Sequence, residues 1–156
     1  MILIQFFIAF FLWTFMSYWL HRFAHINHSC NPLYKIHKFH HQKKYDENDL
    51  WKFYWPSIWF WFGNIKQTLE IWIVFTIPAI LIAIIIGGGA FYLLPLHYIY
   101  EVLFADRLVE HNPRIKGKIT KIFAIGSYHL IHHDKFKYNY GFYITLWDHI
   151  FGTVKK

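Results

Sequence analysis

Two copies of one histidine pattern offer the clearest chemistry in this sequence. The first copy is His-Lys-Phe-His-His at residues 37–41, and the second is His-Leu-Ile-His-His at residues 129–133. On a helix, positions i, i+3 and i+4 share one face, so each copy can direct three imidazoles to one point. Neutral imidazole is the commonest metal ligand and suits iron, zinc and copper. We therefore predict that the two copies form two walls of one metal site.

Further candidate ligands lie before the first copy and between the two copies. His21 and His25 are four residues apart at the end of the first apolar run, so they share one helical face. Such a pair alone is often an ordinary helix-end feature, but two triple patterns nearby favour metal binding. His111 lies in a sparser segment, where Asp106 or Glu110 can be an oxygen ligand or a surface charge that hydrogen-bonds a ligand.

Three more ionisable residues are candidates for binding or supporting a metal. His97 and Glu101 are four residues apart in or near an apolar run, where an ionisable pair is a functional candidate by default. The alternative for this pair is a hydrogen-bonded helix contact. Asp148 can orient a ligand histidine through a hydrogen bond. We expect His28 and His149 to be peripheral.

The number of candidate histidines indicates more than one metal ion. One ion offers about four to six positions, whereas two adjacent ions can use nine ligands. Two irons with mostly nitrogen ligands can bind oxygen and generate an oxidant that attacks an unactivated C–H bond. Zinc hydrolysis usually needs three protein ligands, so it leaves most of these histidines unexplained. A solvated basic face is the simplest alternative. The predicted ligands are His21, His25, His37, His40, His41, His111, His129, His132 and His133.

The composition favours a membrane protein of one domain, residues 1–156. Hydrophobic residues make up 56% of the chain, against about 45–50% in an average protein, and they fall into long uncharged runs. The net charge of +7 lies between these runs. Nucleic-acid binding is disfavoured because the aromatic residues lie in the apolar runs and not on a basic face. The single Cys30 excludes an internal disulfide and cysteine-rich zinc or iron–sulfur sites.

Residues 1–20 carry no charge and are long enough to cross a bilayer. A signal peptide would have a basic start, a shorter apolar core and a small-residue cleavage site, so we predict a retained transmembrane helix. Residues 51–63 contain four tryptophans and one proline but are too short to cross. Aromatic side chains of this kind favour the membrane interface, either in its plane or as a shallow re-entrant segment.

A second apolar run, residues 71–100, contains no Asp, Glu, Lys or Arg and is interrupted at 87–89 by three glycines. It can form one tilted span or a hairpin of two spans, 68–86 and 90–108. One crossing would leave the two histidine patterns on opposite sides of the membrane, whereas a hairpin brings them together. The hairpin also places the basic clusters on the cytoplasmic side; these clusters are Lys35–Lys52, Arg114–Lys121 and Lys135–Lys156. We therefore predict an all-α integral membrane protein whose histidines lie on a cytoplasmic cap.

The order of these segments resembles the fatty acid hydroxylase/sterol desaturase superfamily over nearly the whole chain. The matching segments are His21-Arg-x-x-His25, His37-Lys-x-His40-His41, Glu110-His111, His129-x-x-His132-His133 and Trp147-Asp148-x-x-Phe151-Gly152-Thr153. The resemblance implies a membrane di-iron oxygenase that consumes O2 and two electrons, with the nine histidines as metal ligands. The chain departs from the family where a second histidine usually precedes His111 and Asp106-Arg107 stands instead. Residues 47–50, Glu-Asn-Asp-Leu, resemble the related bacterial carotenoid hydroxylases.

The functional hypothesis is a membrane-bound lipid hydroxylase with two iron ions and O2 as co-substrate. The alternatives within the superfamily are a carotenoid hydroxylase and a sterol or lipid desaturase. A metal-binding or metal-transport protein and a bis-histidine haem cytochrome are alternatives outside it. The oligomeric state and the particular lipid are not predicted. The membrane is the bacterial inner membrane or the endoplasmic reticulum.

We expect the electrons to come from an external redox partner. Residues 87–89 lie inside an apolar run, so these glycines do not form a dinucleotide-binding fingerprint. A ferredoxin, or a b-type cytochrome with its reductase, can supply the two electrons. Four lysines, namely Lys43, Lys44, Lys118 and Lys121, can dock an acidic partner or contact lipid headgroups.

Overall fold

A computed structural model of the chain describes residues 1–43, 53–106 and 108–155. These residues form helices and no β-strand, which confirms the predicted all-α class. The α-helices are α1 (Ile2–Ala24), α2 (Pro32–His41), α3 (Ile65–Ile71), α4 (Ile77–Ile86), α5 (Leu93–Ile99), α6 (Ser127–Asp134) and α7 (Leu146–Ile150). The predicted carotenoid-hydroxylase-like segment at 47–50, Lys44 and Arg107 lie outside the described residues.

Helix α1 is uncharged along most of its length and buries one narrow stripe. Its 23 residues measure about 35 Å, which exceeds the roughly 30 Å hydrocarbon core of a bilayer. The buried side chains Ala9, Trp13, Ser17 and His21 recur every four residues, which keeps them on one face. That stripe directs His21 into the protein at the same face that packs against the apolar core.

Helices α3 and α4 are joined through a π-helical turn, Trp72–Thr76, into one apolar helix from Ile65 to Ile86. This turn meets α1, because Trp13 Nε1 donates to the Phe75 carbonyl at 2.9 Å and Ser17 Oγ donates to the Val74 carbonyl at 3.1 Å. A π-helical turn redirects backbone carbonyls from the regular ladder, so side chains of a neighbouring helix can use them. These two hydrogen bonds hold the two helices together just before His21 in α1.

The chain reverses direction after α4. Gly87 ends the helix with a φ of +68°, which a glycine adopts without steric cost. Gly89 lies directly against the Ile2 backbone, so no side chain fits there. Thr76 before the reversal and His97 after it then face each other, with 2.9 Å between Oγ1 and Nε2. The glycine-centred hairpin geometry therefore exists in the fold.

Two helices, Ile2–Ala24 and Ile65–Ile86, are long and apolar enough to cross a membrane by length and composition. The predicted spans 1–20 and 68–86 fall within them. The returning arm is less regular: a 3-10 helix (Gly88–Tyr92), α5 and a π-helical turn (Tyr100–Phe104) follow one another. The predicted span 90–108 thus ends in turns after Phe104, and its crossing of the membrane stays a prediction.

The segment rich in tryptophan is only partly described. Trp55–Trp59 forms a single 3-10 turn, and the side chains of Trp55 and Trp59 are 73% and 85% exposed. Large exposed aromatic side chains suit the interface between membrane and water. The interfacial placement of 51–63 stays a prediction.

Helix α2 is held beside the end of α1 by Asn31. The Asn31 Oδ1 caps α2 by accepting from the Tyr34 backbone N–H at 3.2 Å, and Pro32 occupies the first helical position. The Asn31 Nδ2 donates to the carbonyl of Phe23 at 2.8 Å and to that of Ile26 at 3.0 Å. One buried side chain therefore joins the helix that carries His21 to the helix that begins the first histidine pattern.

Candidate metal centre

All nine histidines predicted as ligands meet at one end of the helical hairpin. They form two groups within which one nitrogen of each ring lies within 4.8 Å of every other. The five-histidine group contains His21, His25, His37, His41 and His132. The four-histidine group contains His40, His111, His129 and His133.

Each histidine pattern contributes to both groups. In the first pattern His37 and His41 join the five-histidine group, whereas His40 joins the other. In the second pattern His132 joins the five-histidine group and its two neighbours in the pattern join the other. Positions i+3 and i+4 diverge by about 100° around a helix, so one helix can reach two points. The expectation that each copy directs three rings to one point is therefore wrong.

The rings of the five-histidine group point their Nε2 atoms at one another. His37 Nε2 lies 2.8 Å from that of His25, 2.9 Å from that of His41 and 3.1 Å from that of His21. The His25 and His132 Nε2 atoms are 3.0 Å apart. A metal ion with nitrogen bonds of about 2.1 Å separates ligands at right angles by about 3.0 Å. The spacing of these atoms thus fits one ion at their centre.

The four-histidine group converges in the same way. The Nε2 atoms of His40 and His133 are 3.0 Å apart, and those of His111 and His133 are 2.9 Å apart. Both ring nitrogens of His129 are buried and have no hydrogen-bond partner in the described part of the chain. An unpaired buried imidazole is costly unless something coordinates it. A metal ion would satisfy His129.

Backbone carbonyls hold several rings in the tautomer that metal binding needs. His21 Nδ1 is 2.7 Å from the Tyr140 carbonyl, and His132 Nδ1 is 2.6 Å from the Tyr138 carbonyl. A carbonyl only accepts, so each Nδ1 carries the proton and each Nε2 presents a lone pair.

His111 follows the same rule, since its Nδ1 lies 3.0 Å from the Asp106 carbonyl. The lone pairs of His21 and His132 therefore point into the five-histidine group and that of His111 into the four-histidine group, and lone pairs at such distances repel unless a cation lies between them. The donor set of this chain consequently fits two metal ions.

The rings are held neutral by burial. Burial, together with the neighbouring His41, lowers the pKa of His25 to about 3 from the ordinary 6.5, and burial lowers that of His41 to about 4. The pKa values of His37 and His129 are also far below the ordinary value, for the same first cause and because of nearby histidines. Near neutral pH these imidazoles are therefore ready to bind a metal.

Glu70 is a functional residue that the sequence interpretation missed. Its Oε1 accepts from Nδ1 of His37, and both side chains are buried. A carboxylate behind a histidine fixes the ring and increases its strength as a ligand. A signal was present, because Glu70 is the only Asp or Glu between residues 50 and 100. A lone carboxylate in an apolar helix is a functional candidate.

Asp148 organises the loop behind the centre. Its carboxylate accepts from the backbone N–H groups of Tyr140 at 2.8 Å and Gly141 at 2.6 Å, and from the hydroxyls of Tyr128 at 2.9 Å and Thr153 at 2.6 Å. No histidine is among these partners. Asp148 thus positions the Tyr140 carbonyl, which in turn holds a ligand ring, so its influence on the centre runs through the backbone.

The other predicted carboxylates lie beside the centre and outside both groups. Asp106 accepts from Lys43 Nζ at 2.7 Å, and its Oδ1 is 3.4 Å from His111 Nδ1. Glu110 accepts from the Tyr100 hydroxyl at 3.3 Å. Asp106 thus faces the side of the His111 ring that points away from the four-histidine group.

The remaining histidines have separate environments. His97 and Glu101 are buried in the hairpin, where the His97 Nδ1 and Glu101 Oε1 atoms are 3.8 Å apart. His28 and His149 are exposed, and neither belongs to a histidine group.

A groove leads from the surface toward the four-histidine group. It has a volume of about 380 Å³ and runs between α2 and the end of the returning arm, with Phe39, Phe62 and Leu103 among its apolar walls. A second cavity of about 40 Å³ continues inward and is lined by His40 and the residues around it. Glu101 and Asp106 border both spaces, so the two spaces are adjacent.

A comparison with known families agrees with this geometry. The family model described as fatty acid hydroxylase matches residues 6–153 of the 156. This chain belongs to the fatty acid hydroxylase family. The predicted superfamily is therefore confirmed, and the match includes every histidine of both groups.

Curated relatives of this fatty acid hydroxylase family member act on lipids by name. A Delta(7)-sterol 5(6)-desaturase of Leptosphaeria maculans is 32% identical over 98% of this chain and 37% of its own length. A Delta(7)-sterol-C5(6)-desaturase of Nicotiana tabacum is 28% identical over 88% of this chain and 45% of its own. An alkylglycerol monooxygenase of Danio rerio is 27% identical over 87% of this chain and 27% of its own length.

The chain therefore spans less than half the length of these curated relatives. No solved structure matches it.

Proposed function

We propose that this protein is a membrane-bound lipid hydroxylase that uses a di-iron centre and O2 to hydroxylate an unactivated C–H bond. The observation that carries the proposal is the pair of adjacent histidine groups, with five and four converging imidazoles. All-nitrogen sites of this size exceed what catalytic zinc ordinarily uses, which is three protein ligands and a water. Imidazole ligands suit iron. Membership of the fatty acid hydroxylase family supports the assignment.

In this proposal the five-histidine and four-histidine groups would hold one iron each, and the pair of irons would supply an oxidant from O2. Glu70 fixes the His37 ring from behind, and the Tyr140 carbonyl fixes that of His21. Burial lowers the pKa values of His25, His41 and His129, so protons do not compete for their lone pairs at neutral pH. The small inner cavity beside His40 offers water one route to the four-histidine group.

The substrate is a lipid whose alkyl or ring portion lies in the bilayer. Helices Ile2–Ala24 and Ile65–Ile86 support membrane embedding, and the apolar walls of the 380 Å³ groove suit a hydrocarbon. The names of the relatives, sterol desaturase and alkylglycerol monooxygenase, also support a lipid substrate. Electrons come from an external donor such as a ferredoxin or a b-type cytochrome with its reductase.

Desaturation is the second candidate reaction, because two of the relatives are named sterol desaturases. Both reactions begin with removal of a hydrogen atom from a lipid carbon. Return of a hydroxyl to that carbon gives an alcohol, whereas removal of a second hydrogen atom from the neighbouring carbon gives a double bond. The carotenoid hydroxylase alternative rests on residues 47–50 alone.

The experiment is lipid analysis of a heterologous host that expresses the chain and receives fatty acids, sterols and carotenoids. His132→Ala removes a buried ring of the five-histidine group, and His149→Ala removes an exposed ring outside both groups. We expect a new hydroxylated or desaturated lipid with the wild type and with His149→Ala, and none with His132→Ala. Identical lipid profiles for the wild type and His132→Ala would count against the proposed activity.

A further inference from the structure

A buried polar network lies in the hairpin beside the metal centre and shares no residue with it. The Tyr143 hydroxyl donates to Glu101 Oε1 and lies 3.4 Å from His97 Nδ1. The other His97 nitrogen lies 2.9 Å from Thr76 Oγ1. All four side chains are buried. Ionisable groups at this depth in an apolar hairpin are functional candidates.

The backbone of Tyr143, which makes this contact, has an unusual conformation. Its φ is +65°, in the left-handed region that bulky side chains rarely adopt. Such outliers persist only when surrounding contacts enforce them, and they cluster at functional sites. Tyr143 packs its ring against Trp13, with 4.4 Å between centroids, and thereby directs its hydroxyl at Glu101.

Glu101 lies between the outside and the metal centre. Its side chain borders the 380 Å³ groove and also the 40 Å³ inner cavity. A cavity of that size holds at least one water molecule, which needs only about 10–15 Å³ measured in the same way. His40, a member of the four-histidine group, forms another wall of this cavity. Water in this cavity could therefore reach both Glu101 and His40.

The other carboxylates around the inner cavity are already engaged. Glu70 holds the His37 ring. Asp106 forms an ion pair with Lys43 and faces His111. Glu110 accepts from Tyr100 beside His111. Glu101 differs because it borders both spaces and its carboxyl contacts a tyrosine hydroxyl and a histidine, both of which can pass protons.

We propose that Glu101 delivers protons to the metal centre from the groove. The inference rests on the proposed hydroxylase function. Hydroxylation of a lipid C–H by O2 takes up two electrons and two protons, and it leaves one oxygen atom in the alcohol and the other in water. The external donor supplies the electrons. Glu101 gives a proton to water in the inner cavity and regains one from water in the groove, with Tyr143 and His97 holding its carboxyl between the two spaces.

Glu101→Gln is the decisive variant because the amide keeps the size of the side chain and an oxygen that accepts from Tyr143, but it cannot carry a proton. Tyr143→Phe is the matched control, since it removes the hydrogen bond from Tyr143 that Glu101→Gln retains and keeps the carboxyl. General acid groups contribute about 10²–10⁴-fold to rates. We expect Glu101→Gln to retain wild-type iron content and melting temperature and to lose at least tenfold of product formation. It should also release more peroxide per O2 consumed.

A purely structural role for Glu101 predicts a different result. Iron content and melting temperature would then fall together in Glu101→Gln. Tyr143→Phe would lose at least as much product formation as Glu101→Gln. Either that pattern, or product formation in Glu101→Gln within twofold of the wild type, overturns the inference. Partial recovery of product formation in Glu101→Asp supports it.

Infrared difference spectroscopy of the metal-free protein separates this inference from the proposed function. We expect the carbonyl-stretch band of a protonated carboxyl that shifts in D2O, is absent from Glu101→Gln and persists in Tyr143→Phe. If the iron-loaded wild type makes no product and this band is present, the proposed function fails and proton exchange at Glu101 stands. If Glu101→Gln leaves every exchangeable carboxyl band unchanged, the inference is overturned whatever the activity.

Discussion

The Nε2 atoms of His25 and His132 lie 3.0 Å apart although 107 residues separate them in the chain. His25 follows the first apolar helix, and His132 comes after the hairpin has returned. This contact exists only because the chain reverses at Gly87 and brings the second histidine pattern back to the first. The meeting of the two histidine patterns therefore depends on the hairpin.

Replacement of Glu70 by glutamine should weaken iron binding. The amide leaves the His37 ring without its carboxylate partner, and loss of such a partner typically costs about 10–100-fold in metal affinity. Iron titration against a competing chelator measures the change. Lys66→Gln, an exposed substitution in the same helix, is the control and should bind iron like the wild type. An unchanged affinity in Glu70→Gln would show that the contact with His37 does not support the metal.

Asp148→Asn should destabilise the fold and the centre at once. The Asp148 carboxylate accepts from two backbone N–H groups and two hydroxyls, and the asparagine amide would replace one accepting oxygen with a nitrogen that donates. Hydrogen bonds to charged groups contribute about 1.5–3 kcal/mol each, and for a protein of this size about 1 kcal/mol shifts the melting temperature by roughly 2–4 °C.

We therefore expect a melting temperature about 5–10 °C below the wild type in detergent and a reduced iron content, which a thermal scan and metal analysis measure. Asp134→Asn changes an exposed carboxylate on α6 and should leave both unchanged. Equal melting temperatures for the two variants would mean that the Asp148 loop does not hold the centre.

Acid should destabilise the metal-free protein. The pKa is about 3 for His25 and about 4 for His41 in the folded protein, against 6.5 ordinarily. As the pH falls below about 6.5 the unfolded chain binds protons that the folded chain does not, so the free energy of unfolding decreases. The free energy of unfolding continues to decrease until the pH approaches about 4, the pKa of folded His41, and then about 3, the pKa of folded His25.

Denaturant unfolding of the metal-free protein between pH 7.5 and 5 measures this dependence. The double variant His25→Gln, His41→Gln should show a shallower decrease than the wild type. A free energy of unfolding that stays constant or rises as the pH falls would contradict the burial of neutral histidines.

The single Cys30 can report which side of the membrane carries the histidines. It is exposed in the turn between α1 and α2, a few residues after His25. We expect a membrane-impermeant maleimide to label Cys30 from the cytoplasmic side of oriented vesicles. Ile2→Cys in a Cys30→Ser background tests the other end of α1, where the side chain is exposed, and should be labelled from the opposite side. Labelling of both variants from one side would exclude α1 as a span.

Sequence spacing predicted which histidines come together better than it predicted how they divide into two groups. The two triple patterns and the pair at His21 and His25 are local signals, and the structure brings all of these rings together. Spacing alone does not show which of the two groups each ring of a helix joins, because that depends on where the other helices lie. His40 and His132 each join a different group from the other two histidines of their own pattern, and only the three-dimensional structure shows this.

The supports of the centre were harder to predict because they depend on contacts between distant segments. Glu70 is 33 residues from His37, and the Tyr140 carbonyl carries no side-chain signature at all. Asp148 was predicted to orient a histidine directly, yet its hydrogen bonds go to the loop that presents that carbonyl. Helix existence and the glycine reversal, in contrast, followed from long apolar runs and three consecutive glycines.

The iron content of the purified protein tests the central claim most directly. Protein produced with iron in excess should contain about two irons per chain and show no haem absorbance, because the five-histidine and four-histidine groups each hold one ion. His132→Ala should reduce the iron content, and His149→Ala should not. Zinc in place of iron, a haem Soret band, or a wild type and His132→Ala with equal iron content would contradict the account.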